Sequence, residues 1–277
     1  MIRVALKIAY IGEFFFGSQR QKNFITIDGE IIRCLKTLNI IEDEKKNKYY
    51  SCCRTDTGVN AITYVVTFDT NIEVSYPKMI NSIIKENIFV YSYSIVPLNF
   101  HPRYSATNRS YLYIMNNLNY DIEIMKAGAK LLLGKHDFYN FCKNNKNIVT
   151  TRTINKINIS LVSNKIYVTI EASSFLWKMV RKIIYSLSLI GQKERNIDWI
   201  LKLLNPSKYN ENLKCMPSNG LILKNIEYKN YLLFWRYDRY TINNIKKRLI
   251  KDIFNYEIKN NVLKEIFWNI NKDKIKI

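Results

Sequence analysis

Cys52-Cys53-Arg54-Thr55-Asp56-Thr57-Gly58-Val59-Asn60-Ala61 leads almost directly into Tyr64-Val65-Val66-Thr67-Phe68. The second run is β-branched and aromatic, which suits a pleated strand. The first sets an Arg, an Asp and a Gly close together, a composition that marks a turn. A polar turn feeding a strand recurs on both sides of this stretch, with helices between. Upstream, Val4 to Tyr10 reads as a strand ending near Gly12, and Thr26 is placed to cap a helix through Asn39. Ile27, Ile31, Leu35 and Leu38 share one face of that helix. Glu42 to Lys48 is a charged loop. Downstream, Tyr76 to Glu86 reads as a helix that tolerates Pro77 in its first turn, and Phe89 to Val96 as a strand stopped by Pro97.

The same rhythm follows residue 104. Arg109 to Met115 is a strand, and Asp121 to Leu133 a helix ended by Gly134. Thr153 to Leu161 and Lys165 to Ala172 form a hairpin turning at Ser163-Asn164. Ser173 or Ser174 is placed to cap an amphipathic helix to Ile190, with Gly191 as its stop. Ile197 to Leu204 continues as a helix, and Leu221 to Tyr228 with Tyr231 to Tyr237 as a strand pair. The fold expected is α+β: two related halves, each an antiparallel or mixed sheet with helices on one face, joined into one sheet with a central catalytic cleft. The halves are residues 1–104 and 105–240, followed by a Lys-rich tail, 241–277, expected to be helical. No sequence repeat is visible, so the duplication rests on element order.

The 277 residues carry 43 Lys+Arg against 23 Asp+Glu, a formal net charge of +20, with 47% apolar residues to build a core. Such a surplus suits a polyanion, whose counterions are released on binding. Abundant Lys, Asn, Ile and Tyr can equally reflect nucleotide bias, so charge alone does not name the partner. Eight Gly and five Pro fall far below usual amounts of about 7% and 5%, which excludes collagen-like and linker-like chains. Neither GxGxxG nor GxxxxGK[ST] is present. Five Cys without a CxxC pair and two His give no zinc-finger pattern, and reduced thiols in a cytosolic protein are expected. No run approaches the roughly 18 apolar residues of a membrane span, and Arg3 and Lys7 interrupt any signal-peptide core. A soluble, cytoplasmic protein is expected, with no membrane partner.

Asp56 admits several readings. It can be a turn former that bonds its own backbone. Asp56-Thr57-Gly58 also spells the aspartic-protease triplet, but that chemistry needs two carboxylates sharing a proton. The triplet occurs once, and Arg54 would oppose the raised pKa that the pair requires.

Arg54 to Ala61 resembles the G-R-T-D-A-G-V-H-A signature of the TruA-type tRNA pseudouridine synthases. Tyr10 to Gln21 is similar to that family's Y-x-G-x-x-[FY]-x-G-[WF]-Q-x-Q, and Phe100 to Tyr111 to F-x-A-R-x-S-A-x-x-R-x-Y. Gly134 to Phe138 resembles G-x-H-D-F, Ser174 to Arg181 S-F-L-x-x-M-V-R, and Pro217 to Leu223 A-P-x-x-G-L-x-L. These six motifs stand in order across residues 10 to 223. Ser18, Cys53, Thr57, Asn60 and Pro102 depart from the pattern, and Cys215 sits where a small residue is usual; no ionisable catalytic group is lost.

The resemblance implies a cofactor-free, metal-free isomerase that converts uridine to pseudouridine in tRNA, often in the anticodon stem-loop at about positions 38–40. It assigns Asp56 as the essential carboxylate. Arg181 would keep it charged, and Tyr111 would stack on the uracil and offer its hydroxyl. Arg54 would fill the space of the extruded uridine. Arg20, Arg103 and Arg109 are candidates for phosphate contacts or for support of the loop. His136 is expected to be structural. Dimerisation is left open, and the alternative is an inactive RNA-binding or chaperone protein on the same scaffold.

Overall fold

The computed structural model describes residues 1–143 and 148–273. Residues 144–147 and the last four of the tail lie outside the described residues. Nine strands form one mixed sheet: β1 Ile2–Tyr10, β2 Tyr50–Ser51, β3 Asn60–Thr70, β4 Ile88–Val96, β5 Asn108–Asn116, β6 Gly134–Asp137, β7 Thr151–Val162, β8 Lys165–Ala172 and β9 Leu221–Glu227. Six helices accompany them: α1 Ile27–Thr37, α2 Tyr76–Asn81, α3 Ile122–Leu131, α4 Met179–Gly191, α5 Asp198–Leu203 and α6 Arg239–Asp273.

The strand order is β4-β1-β3-β9-β5-β8-β7-β6, with β2 beside β3. Strand β1 is flanked by β4 and β3, and β5 by β9 and β8, so each group is built around its first strand. All pairings are antiparallel except β3 with β9, which run parallel over only Asn60↔Ile222 and Ala61↔Leu223. This short seam joins the two groups into one sheet. One row of paired residues crosses it: Tyr10, Ala61, Leu223, Tyr111 and Ile170.

Local sequence explains most elements. Thr26 Oγ1 accepts from the Gly29 amide at 3.2 Å and starts α1. Asp121 caps α3 through the Ile124 amide at 3.2 Å. Ser163 and Asn164 both take positive φ, 47° and 62°, which a two-residue hairpin demands. In β8 buried and less buried residues alternate, as one core-facing side requires. The core includes Leu6, Ile8, Tyr64, Phe68, Val168, Ile183 and Leu187, all fully buried. Arg3 and Asp69 form a buried bidentate pair at 2.6 and 2.9 Å, and Arg3 also donates to the Phe100 carbonyl at 3.0 Å.

Three expectations are corrected. The long helix starts at Met179 instead of at Ser173 or Ser174, because Lys178 adopts a left-handed conformation (φ 65°) and residues 173–178 are irregular. Tyr231 to Tyr237 is not a strand; its segment meets β4 at the isolated Tyr93↔Arg236 bridge, where Ser92 Oγ also donates to the Arg236 carbonyl at 2.9 Å. Helix α2 ends at Asn81, five residues early: the Ile83 and Ile84 amides both turn back to the Ile80 carbonyl, at 3.1 and 3.0 Å, and Asn87 takes positive φ before β4. The tail does form a helix, α6, without an interrupting Gly or Pro, and it packs beside α2 and β4.

Candidate active site

Asp56 lies in the loop before β3, next to the seam. The Val59 amide donates to the Asp56 carbonyl at 3.1 Å, closing a turn in which Gly58 has φ +79°. A side chain there would be strained, and its Cβ would stand 2.6 Å from Ser218 Oγ. The turn uses the backbone of Asp56 and leaves its carboxylate for longer-range partners.

Those partners come from one helix end, more than a hundred residues away. Trp177 Nε1–H donates to Asp56 Oδ1 at 2.8 Å, and Arg181 Nη1 lies 3.3 Å from Oδ2. Arg181 occupies the first turn of α4 and is fixed by a 2.6 Å bond from its Nε to the Met216 carbonyl. The irregular segment before α4 aims the indole. Arg109 donates to the Ser173 carbonyl at 2.5 Å, the Lys143 amide to the Trp177 carbonyl at 3.0 Å, and Lys178 supplies the left-handed turn. Lys143 Nζ sits 4.2 Å from the centre of the indole ring, a cation–π contact. The Asp56 side chain is 29% exposed and that of Arg181 15%, so the pair is sheltered but reachable.

The loop is braced from below. Ser18 Oγ accepts from the Thr55 amide at 2.8 Å, while the Ser18 amide donates to the Thr55 carbonyl at 3.1 Å. Tyr10 and Thr55 share a hydroxyl hydrogen bond of 2.8 Å. Gly17 (φ +82°) lets these segments approach, since a Cβ there would lie 2.8 Å from the Thr55 carbonyl oxygen. Asn60 accepts from the Gly12 amide at 2.9 Å and donates to the Asn219 carbonyl at 2.8 Å, tying the loop across the seam. Two departures from the family pattern, Ser18 and Asn60, are thus structural links.

Tyr111 is 8% exposed on β5, with its ring edge-on to Phe175 at 5.2 Å. Burial first, then nearby Cys53 and Cys52, pushes its hydroxyl well above the ordinary tyrosine range, so it stays protonated. Asp28 lies deeper, accepting from Tyr49 at 2.9 Å and Tyr64 at 3.0 Å; burial outweighs these bonds and raises it to about 6.

The arginines expected at the site separate. Arg181 reaches Asp56. Arg109 is buried and spends its guanidinium on the carbonyls of Ser173, Arg103 and Cys52. Arg54 and Arg103 are exposed, the latter above the Tyr104 ring, and Arg20 is exposed and paired with Glu44. His136 bonds the Leu133 carbonyl at 2.7 Å. Trp177 carried no role in the sequence reading; it occupies an unspecified place of its motif, and only the fold brings it to Asp56. Among the described residues no cluster of three or more His, Cys, Asp or Glu could hold a metal ion. No helix of the described residues is long and apolar enough to cross a membrane.

Residues 129–229 match the family model described as tRNA pseudouridine synthase. The chain is 41% identical over 266 residues to tRNA pseudouridine synthase A of Methanosarcina barkeri, covering 96% of this chain and 98% of that protein. It is 38% identical over 275 residues to tRNA pseudouridine synthase A of Methanococcoides burtonii, covering 99% of this chain and all of the relative. Among solved structures, a Cbf5–Nop10–Gar1 complex aligns with a TM-score of 0.34 and 11% identity, over 67% of this chain and 44% of that one. With relatives this similar over nearly their whole length, the chain belongs to the tRNA pseudouridine synthase family.

Proposed function

We propose that this tRNA pseudouridine synthase works through Asp56 as its essential carboxylate, with Arg181 as charge partner and Tyr111 as the ring facing the uracil. The carrying observation is the Asp56 carboxylate gripped on one oxygen by Trp177 and on the other by Arg181. The isomerisation breaks the N1–C1′ bond of a uridine, turns the base and forms a C5–C1′ bond. The C5 hydrogen leaves as a proton and N1 gains one, so no atom enters or leaves overall. Asp56 serves as nucleophile or base, and either role needs its ionised form. The Arg181 guanidinium stands beside it as the opposite charge, Nη1 3.3 Å from Oδ2. The buried, protonated Tyr111 hydroxyl is suited to donate a hydrogen bond to the base.

The target base must leave its stack to reach the site. Arg54, exposed on the loop two residues before Asp56, suits the vacated space. Arg103 and Arg20 suit phosphate contacts, Arg20 by exchanging Glu44 for a phosphate. Arg109, with its carbonyl partners, supports the loop. The reading takes residues 1–104 and 105–240 as the two halves of the site and 241–277 as an appended helix. It places the target in the anticodon stem-loop, about positions 38–40, and the enzyme in the cytoplasm, with a second copy of the chain as the other candidate partner. Incubation with tRNA tritiated at uridine C5 tests the activity. Release of tritium by wild type, and none by Asp56→Ala with tRNA binding retained, is expected; no release by wild type would leave the RNA-binding alternative.

A further inference from the structure

Cys52 and Cys53 stand just before Arg54-Thr55-Asp56, and their Sγ atoms are 3.7 Å apart. Cys52 is fully buried and its sulfur accepts from the Val65 amide at 3.3 Å. Cys53 is partly exposed. Both carbonyls are held: that of Cys52 by Arg109 at 3.5 Å and that of Cys53 by Tyr64 at 3.2 Å. The two thiols are unequal. A hydrogen bond from Cys52, helped by the Arg109 charge, lowers the Cys53 thiol against its burial, whereas burial raises Cys52 well above the usual thiol range. Cys53 is therefore the attacking thiol and Cys52 the resolving one.

We propose that Cys52 and Cys53 form a reversible oxidation site, closed to a vicinal disulfide by a low-molecular-weight disulfide, that disables the adjoining Asp56 loop. The Cys53 thiolate attacks the reagent, forming a mixed disulfide and expelling one thiolate. Cys52 then attacks the Cys53 sulfur and releases the second thiol. Two protein thiols are oxidised and one reagent disulfide is reduced to two thiols.

Ring closure has a structural consequence. Adjacent Cα atoms across a trans peptide are about 3.8 Å apart, below the roughly 4.4–6.8 Å of relaxed disulfides. The trans 52–53 peptide must twist, while Arg109 holds that peptide's own carbonyl and Tyr64 the carbonyl of the next. Strain of this kind makes a disulfide easily reduced, the property of regulatory bonds. The twist also moves the loop carrying Asp56.

Trypsin isolates both cysteines on one peptide, Tyr49 to Arg54. Wild type treated with oxidised glutathione is expected to yield this peptide two hydrogens lighter and closed to iodoacetamide. Turnover on tRNA falls by about a hundredfold, as for a small misplacement of a catalytic group, and dithiothreitol restores both readings together. Cys53→Gly, the residue of the family signature, should turn over and lose no activity. Cys52→Ser, which keeps an acceptor for Val65, should instead stop at the mixed disulfide on Cys53. A peptide that stays fully alkylatable after oxidation overturns the proposal, as does equal inactivation of Cys53→Gly. The inference rests on the isomerase reading only for its activity arm: absent turnover by reduced enzyme counts against that reading, while the peptide mass tests the disulfide separately.

Discussion

Trp177→Phe isolates one hydrogen bond at the active site. The substitution keeps an aromatic ring near the Lys143 ammonium and, with the second ring of the indole, removes the N–H that donates to Asp56 Oδ1 at 2.8 Å. A hydrogen bond to a charged group contributes about 1.5–3 kcal/mol. The carboxylate is 29% exposed, and water compensates part of the loss, so the lower end applies. A barrier increase of about 1.4 kcal/mol slows a reaction tenfold. The expected result is a fall of about tenfold in kcat, with KM for tRNA unchanged because the indole N–H acts through Asp56. Single-turnover tritium release with enzyme in excess, together with steady-state titration of tRNA, separates the two quantities. A rate within twofold of wild type, or a loss confined to KM, would refute the assignment of Trp177 as a positioning residue.

Ser18→Ala leaves the Thr55 amide without its acceptor, a loss of about 1–3 kcal/mol at a buried donor; both the melting temperature and kcat should fall, measured by calorimetry and tritium release. Arg3→Met strands the buried Asp69 carboxylate and should cost about 3–5 kcal/mol, read as a lower urea midpoint at unchanged slope. Asp28 is raised to about 6, from an unfolded value near 3.9. Between these values the native state keeps a proton that the unfolded chain has lost, so Asp28 makes stability fall as pH rises from about 4 to 6. Asp28→Asn should flatten this part of the stability curve, and melts across that range check it.

Most strands were legible either from alternation, as in β8, or from a β-branched and aromatic run, as in β3, which is buried on both faces from Thr63 to Thr70. The Ser163-Asn164 hairpin and the Thr26 cap were equally local, each needing only the backbone within three residues. Short strands such as β2 and β6 were not, having too few residues to show a period. Ser173 and Ser174 looked like an N-cap before an apolar run, yet tertiary contacts overrode that signal. Arg109, Lys143 and the left-handed Lys178 hold the segment open so that Trp177 can reach Asp56. Asp56, Tyr111 and Arg181 could be marked by motif, but the Trp177 contact could not, because nothing in sequence spacing relates positions 56 and 177. Arg109 matched a motif as well, and only its three carbonyl partners separate loop support from phosphate binding.

The most direct test of the central claim is a comparison of pseudouridine content at each uridine of an unmodified tRNA after exposure to wild type and to Asp56→Ala. The account predicts new pseudouridine with wild type, none with Asp56→Ala, and comparable tRNA affinity for both proteins. Pseudouridine formed by Asp56→Ala at the wild-type rate would contradict it.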